Sequence, residues 1–151
     1  MNTFTRRSLI RAPASIVWDF HASPQSLQKL TPSPIFVKIN EDQRISLTEG
    51  DLDFTLWFGP LPVRWVARHE PGASPDSFRD RMLLGPMETW IHEHSILAQG
   101  DSTILEDRLV YSYPRGWRGV SSRLLFNRFG LCMLFAYRHL RTRIGVRRMR
   151  N

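Results

Sequence analysis

The chain has 151 residues, 42% hydrophobic and 11% aromatic, a formal charge of +7 and one cysteine. That length suits one core and is short for two. The lone cysteine excludes an intramolecular disulfide, and the composition excludes collagen-like or low-complexity classes. All 14 acidic residues lie at or before Asp107 and 11 arginines follow it, so the carboxyl-terminal part should present a basic surface.

In chain order, "TFTRRSLIR" (3–11) alternates and predicts a strand closing at Ala12 and Pro13. No apolar run of signal length accompanies it, so a cytoplasmic location is expected. "PASIVWDFHAS" places Ile16, Val17 and Phe20 on one side of a short helix, and "SPQSLQKLTPSP" predicts a second one that stops at Pro32 and Pro34. From Ile35 to Tyr113 the period becomes two. The runs "IFVKIN", "DLDFTLWF", "PVRWVARHE", "SFRDRML", "METWIHEHSIL" and "STILEDRLVYSY" predict six antiparallel strands with one covered and one wet face. Turn residues in "GPLP" and "LLGP" separate them.

The last segment predicts one long helix, from about residue 118 to 145, that covers the sheet. Helical spacing turns Phe129, Cys132, Met133, Tyr137, Leu140 and Ile144 toward the strands, with Cys132 a buried thiol. Leu131, Leu134 and Phe135 fall outside that stripe and predict a loop cover, a homodimer contact or a lipid-facing edge. The apolar stretch contains Asn127 and Arg128 and is well short of the roughly 20 residues that span a bilayer.

The order strand, two short helices, six strands, long helix is an α+β helix-grip arrangement: a seven-stranded curved antiparallel sheet wrapped on a carboxyl-terminal helix. In "IRAPASIVWDFHASPQSLQKLTP", "GPLPVRWVARH", "FRDRMLLGPMETWIHEHSI" and "DRLVYSYPRG" the chain resembles the START-like and Bet v 1-like (SRPBCC) superfamily. It is most similar to the bacterial polyketide cyclase/dehydrase group that includes coenzyme Q-binding proteins. The resemblance implies a single START-like ligand-binding domain over residues 1–151. It also implies a cavity between sheet and helix for a hydrophobic small molecule that is lipid-, quinone- or polyketide-like. That cavity is a carrier site in some relatives and an active site in others.

Strand alternation puts Trp65 and His69, then Asp80 and Met82, then Trp90, His92 and His94, then Asp107 and Tyr111 on the covered face. Buried carboxylates need partners, so histidine–aspartate pairing is expected. Three uses follow. A His-x-His strand pair with Asp80 or Asp107 has metal-ligand spacing, but it lacks the downstream glutamate and second histidine motif of the cupin pattern, and no metal or other cofactor is expected. Alternatively His92 or His94 is a general base oriented by an aspartate, with Tyr111 polarising a ligand oxygen, in a cyclase, dehydratase or isomerase. The favoured use is recognition: a satisfied polar spot facing an otherwise apolar ligand. Trp65 and Trp90 would pack the core or stack on a ring, and Phe129, Met133 and Tyr137 would form the helix side of the cavity. The arginine-rich helix predicts a further partner, an anionic membrane surface or an acidic protein, and no base-reading motif accompanies it to suggest nucleic acid.

Overall fold

The computed structural model describes residues 1–150. Its strands are β1 (Asn2–Ile10), β2 (Phe36–Asp42), β3 (Gly50–Phe58), β4 (Leu61–Pro71), β5 (Ser77–Leu84), β6 (Thr89–Gln99) and β7 (Ser102–Ser112), with α1 (Ala14–Ala22) and α2 (Ser26–Lys29) between β1 and β2. They form one antiparallel sheet in the order β1-β7-β6-β5-β4-β3-β2. β1 lies beside β7, pairing Asn2 with Tyr111 and Ile10 with Thr103. Two-residue turns join β3 to β4 and β6 to β7. Each begins with a glycine at positive φ, Gly59 at 60° and Gly100 at 58°, where a β-carbon is disfavoured.

Alternation sorts the sheet residues by chemistry. The inner face carries Trp65, Ala67, Phe78, Trp90, Ile96, Leu105 and Leu109, all buried. The outer face carries cross-strand ion pairs: Asp53 with Arg64 at 2.6 Å, Asp51 with Arg68 at 2.9 Å and Glu70 with Arg81 at 2.9 Å. Exposed pairs of this kind contribute about 0–1 kcal/mol each. Leu84, which alternation with Asp80 and Met82 would turn inward, is exposed. It lies beyond the β5–β6 pairing, which ends at Arg81–Ile91, and beside the register shift between Val66 and Ala67.

The long helix predicted from about 118 to 145 is two helices, α3 (Trp117–Leu125) and α4 (Arg128–Arg150). The break has a local cause. The Phe126 ring is buried in the core, the Tyr113 hydroxyl donates to the Phe126 carbonyl at 2.7 Å, and Asn127 Oδ1 accepts from the Gly130 N–H at 2.8 Å, capping α4.

The face of α4 that meets the sheet also differs from expectation. Leu131, Phe135, His139, Thr142 and Val146 are buried, at helical spacing, whereas Phe129, Met133 and Leu140 are exposed. Cys132, expected as a buried thiol, is exposed as well. Apolar side chains occur on every side of the first half of this helix, and the stripe that spacing picked out is not the one that packs. The seam that packs contains a histidine and a threonine, which a stripe of apolar residues passes over. Burial of Phe135 alone is worth about 1.5–3 kcal/mol. Further along, α1 crosses α4 where Gly145 lies under the Phe20 ring, with no space for a β-carbon.

Two apolar clusters result. One contains Trp65, Trp90, Phe126, Leu131 and Phe135; the other contains Ile10, Val17, Phe20, Phe78 and Val146. His92 meets Phe135 edge-on at 5.0 Å and His94 stacks on Phe78 at 4.3 Å, so the histidines lie at the seam between the clusters.

Candidate functional site

A cavity of about 410 Å³ lies between the sheet and the helices. Its walls are apolar over most of their area, with Phe54, Trp65, Trp90, Phe126, Leu131 and Leu134 among them. Phe54 stacks on Trp65 at 6.1 Å, and Trp65 meets Trp90 edge-on at 5.2 Å. One end is polar, where His21, His69, Asp80, His92 and His94 reach the surface of the cavity.

The polar end is one connected network. β5 and β6 set Asp80 opposite His92, and β6 and β7 set His94 opposite Asp107. His92 Nε2 is 3.0 Å from Asp107 Oδ1 and its Nδ1 is 3.3 Å from Asp80 Oδ2. His94 Nε2 is 3.1 Å from Asp80 Oδ2, and its Nδ1 is 2.7 Å from Asp107 Oδ1. From α4, His139 Nε2 is 2.7 Å from Asp107 Oδ2. Asp107 thus gathers three imidazoles while itself fully buried. His21 stands apart on α1, its Nδ1 donating to the Val17 carbonyl at 2.8 Å.

Charge in this network follows from burial and partners. Burial disfavours the carboxylates, but the imidazoles outweigh it. The charges of and bonds from His92 and His94 hold Asp80 well below the usual range, and His94, His139 and His92 do the same for Asp107. Burial opposes a charge on His92, yet Asp80 and the bond to Asp107 win and raise its pKa. His21 has no such partner. Burial, with the nearby His94, lowers its pKa to about 4. Burial also lowers His69, whose Nδ1 is 3.2 Å from the Leu47 carbonyl. The arrangement can move a proton at the cavity wall, orient a ligand oxygen, or hold a cation between Asp80, His92 and His94.

Of the residues singled out from sequence, Trp65, His69, Asp80, Trp90, His92, His94, Met133 and Tyr137 line the cavity. Four do not. Asp107 is behind the wall and acts through the histidines, and Tyr111 is buried against Trp90 and Tyr113. Met82 packs at the edge of the aromatic cluster, and Phe129 points away from the sheet at 76% exposure. Tyr111 therefore cannot polarise a ligand from its place. Sequence reasoning missed His139 and His21. His139 follows Phe135 by one helical turn and His21 follows Phe20 on α1, so choosing the other face of α4 would have found the first.

No family model matches the chain, and no curated protein matches it. Solved structures do. A nucleoside-diphosphate sugar epimerase from Corynebacterium glutamicum matches at 26% identity and TM-score 0.69 over 93% of this chain. The match spans only 28% of that protein's length. A START superfamily protein from Mycobacterium smegmatis matches at 10% identity and TM-score 0.69, over 97% of this chain and 98% of the other. A point mutant of norcoclaurine synthase from Thalictrum flavum, in complex with a transition-state analogue, matches at 15% identity and TM-score 0.69, over 99% and 96%. The fold is the helix-grip fold of the START-like and Bet v 1-like superfamily. The likeness is one of fold: a curved antiparallel sheet closed by a carboxyl-terminal helix, shared with these solved structures.

Proposed function

We propose that the chain binds a hydrophobic or polycyclic small molecule, lipid-, quinone- or polyketide-like, in this cavity. The observation that carries the reading is the cavity itself, about 410 Å³ with mostly apolar, aromatic-rich walls and a cluster of histidines with Asp80. That volume falls in the range of small-molecule sites, and a few converging polar groups in an apolar wall are what orient such a ligand. A ring system fits against Trp65, Trp90 and Phe126, and a carbonyl or hydroxyl at its end meets His94 and Asp80. Native mass spectrometry of gently purified protein tests this: a lipophilic mass leaves on unfolding, and Leu56→Trp, which fills the cavity, abolishes retention. Equal retention by that variant would place the ligand elsewhere. In the enzymatic form of the reading, a cyclase, dehydratase or isomerase, His94 is the acid or base, held by Asp80. His94→Gln then binds the released compound without turning it over.

A second reading concerns the surface beside the cavity. Trp117, Val120 and Leu124 on α3 and Phe129 and Met133 on α4 are exposed, and Met133 also lines the cavity. Arg115, Arg118 and Arg128 accompany them and no acidic residue follows Asp107. Apolar side chains among arginines suit an anionic bilayer surface, where the cavity could load or unload. Among the described residues no helix is long and apolar enough to cross a membrane. Flotation with anionic vesicles, weakened by salt, is the expected result; binding indifferent to lipid charge would refute it.

A further inference from the structure

We propose that Asp80, His92 and His94 form a binding site for a divalent transition-metal ion that opens onto the cavity. This goes beyond ligand binding and reverses the expectation from sequence, where the His-x-His spacing lacked the downstream glutamate and second histidine motif that would have supported a metal.

Three independent features of the geometry support it. First, the donor atoms have the right separation. Asp80 Oδ2 is 3.3 Å from His92 Nδ1 and 3.1 Å from His94 Nε2, and one donor from each residue lies within 4.8 Å of the others. Around a four- or six-coordinate ion with bonds of about 2.0–2.2 Å, adjacent donors lie roughly 3.0–3.5 Å apart. A small displacement of each side chain seats the ion. Two imidazoles and one carboxylate suit zinc, iron(II) or cobalt(II) and disfavour calcium or magnesium, which prefer all-oxygen sets.

Second, the nitrogens on the far sides of both rings face one carboxylate. His92 Nε2 and His94 Nδ1 lie 3.0 and 2.7 Å from Asp107 Oδ1. His94 donates from Nε2 to Asp80 and would give up that bond to an ion, whereas His92 holds its Nε2 proton toward Asp107 and presents the Nδ1 lone pair toward Asp80. The latter is the arrangement in which a buried carboxylate fixes the tautomer of a metal-bound histidine. His139, at 2.7 Å from Asp107 Oδ2, holds that carboxylate in turn and is a positioning residue. His94 Nδ1, although close to Asp107, is out of line for a hydrogen bond and is a buried polar atom without one. Rotation of the ring toward an ion would align it.

Third, the donors stand on rigid elements and at the cavity wall. Asp80 and His92 are directly paired across β5 and β6, and stacking on Phe78 fixes the plane of His94. All three donors line the cavity while Asp107 does not. Positions around the ion not taken by protein therefore face the apolar space, where water or a ligand oxygen can complete the set. An ion there would act on a ligand carbonyl as a Lewis acid.

The test uses the full chain stripped with chelator and titrated separately with Zn²⁺ and Co²⁺, read by calorimetry, native mass spectrometry and the visible spectrum of cobalt. One ion per chain is expected, with a cobalt spectrum of nitrogen and oxygen ligation. Asp80→Ala and His94→Gln should each weaken binding by roughly 100-fold or more. Asp107→Asn should weaken it by roughly 10–100-fold, the effect typical of a group behind the ligands. Asp53→Asn, on the outer face, should leave it unchanged. If His94→Gln does not fold, Asp80→Ala decides, because Asp80 lies at the cavity surface. No ion retained by folded wild-type protein, or wild-type affinity in Asp80→Ala, would overturn the proposal. The assay contains no lipophilic ligand, so its failure is separate from failure of the cavity reading.

Discussion

Replacing Asp107 by asparagine, in metal-free protein, tests whether this carboxylate organises the interior. Its side chain is 3% exposed and meets imidazole nitrogens at 2.7, 2.7 and 3.0 Å. Charge-assisted hydrogen bonds contribute about 1.5–3 kcal/mol each. The amide keeps one acceptor and turns a donor toward a ring that already donates. One such bond is lost outright and the charge attraction goes with it, offset by the easier burial of an amide. Breaking a buried pair costs about 3–5 kcal/mol, and the offset puts the expected loss at about 3 kcal/mol. Asp80→Asn, whose side chain is 19% exposed, should cost about 1 kcal/mol, because water in the cavity can replace the lost partner. Urea denaturation in the presence of chelator, followed by tryptophan fluorescence, measures both, and unchanged m-values make the midpoints comparable. An Asp107→Asn protein no less stable than Asp80→Asn would refute the hub role.

Other consequences are open to measurement. His21 has a folded pKa of about 4 against 6.5 when free, so the unfolded chain takes up its proton first and stability falls as pH drops through that window, by up to about 3 kcal/mol. In His21→Gln that part of the pH dependence should vanish, which equilibrium unfolding of both proteins between pH 4 and 7 would show. Gly145→Ala should lower the melting temperature despite alanine's better helix propensity, because the new methyl meets the Phe20 ring; about 1–3 kcal/mol is expected. Asn127→Ala removes the cap of α4 and should cost about 1 kcal/mol in thermal unfolding. Leu124→Glu with Phe129→Glu should abolish flotation with anionic vesicles and leave the melting temperature within a few degrees, since both side chains are exposed.

The sheet was legible because alternation is a strong signal in strands with one wet face. Trp90, His92, His94 and Ile96 all face inward as their spacing requires, and so do Trp65, Ala67 and His69. The cross-strand pairing of His with Asp followed from the cost of burying a lone carboxylate. The helix was harder to read. From Leu124 to Tyr137 apolar residues occur on every side, so spacing alone does not say which side packs. The side that does pack is marked by His139 and Thr142: the burial of the first depends on Asp107, a distant partner, while the hydroxyl of the second is satisfied one turn back on the helix by the Arg138 carbonyl. The break at Phe126 was hidden for a similar reason, since it needs Tyr113, thirteen residues away, to take up a carbonyl. Tyr111 was assigned to the right face and the wrong job. Alternation gives a residue's side of the sheet, and what stands in front of it is a matter of packing.

The pairing of β1 with β7 bears on how the chain reaches this structure. Asn2 finds its partner only at Tyr111, and every residue of β1 pairs across a similar separation. During synthesis the first strand therefore has no neighbour until almost the whole sheet has emerged, while β2 to β7 can add as successive hairpins. Contacts this distant in sequence slow folding, because the chain between them must be ordered before they form. The last step closes the edge of the sheet under α4, where Phe4 meets Phe135 at 5.2 Å. The interior pocket is thus a late product of assembly, finished when β1 and α4 come together.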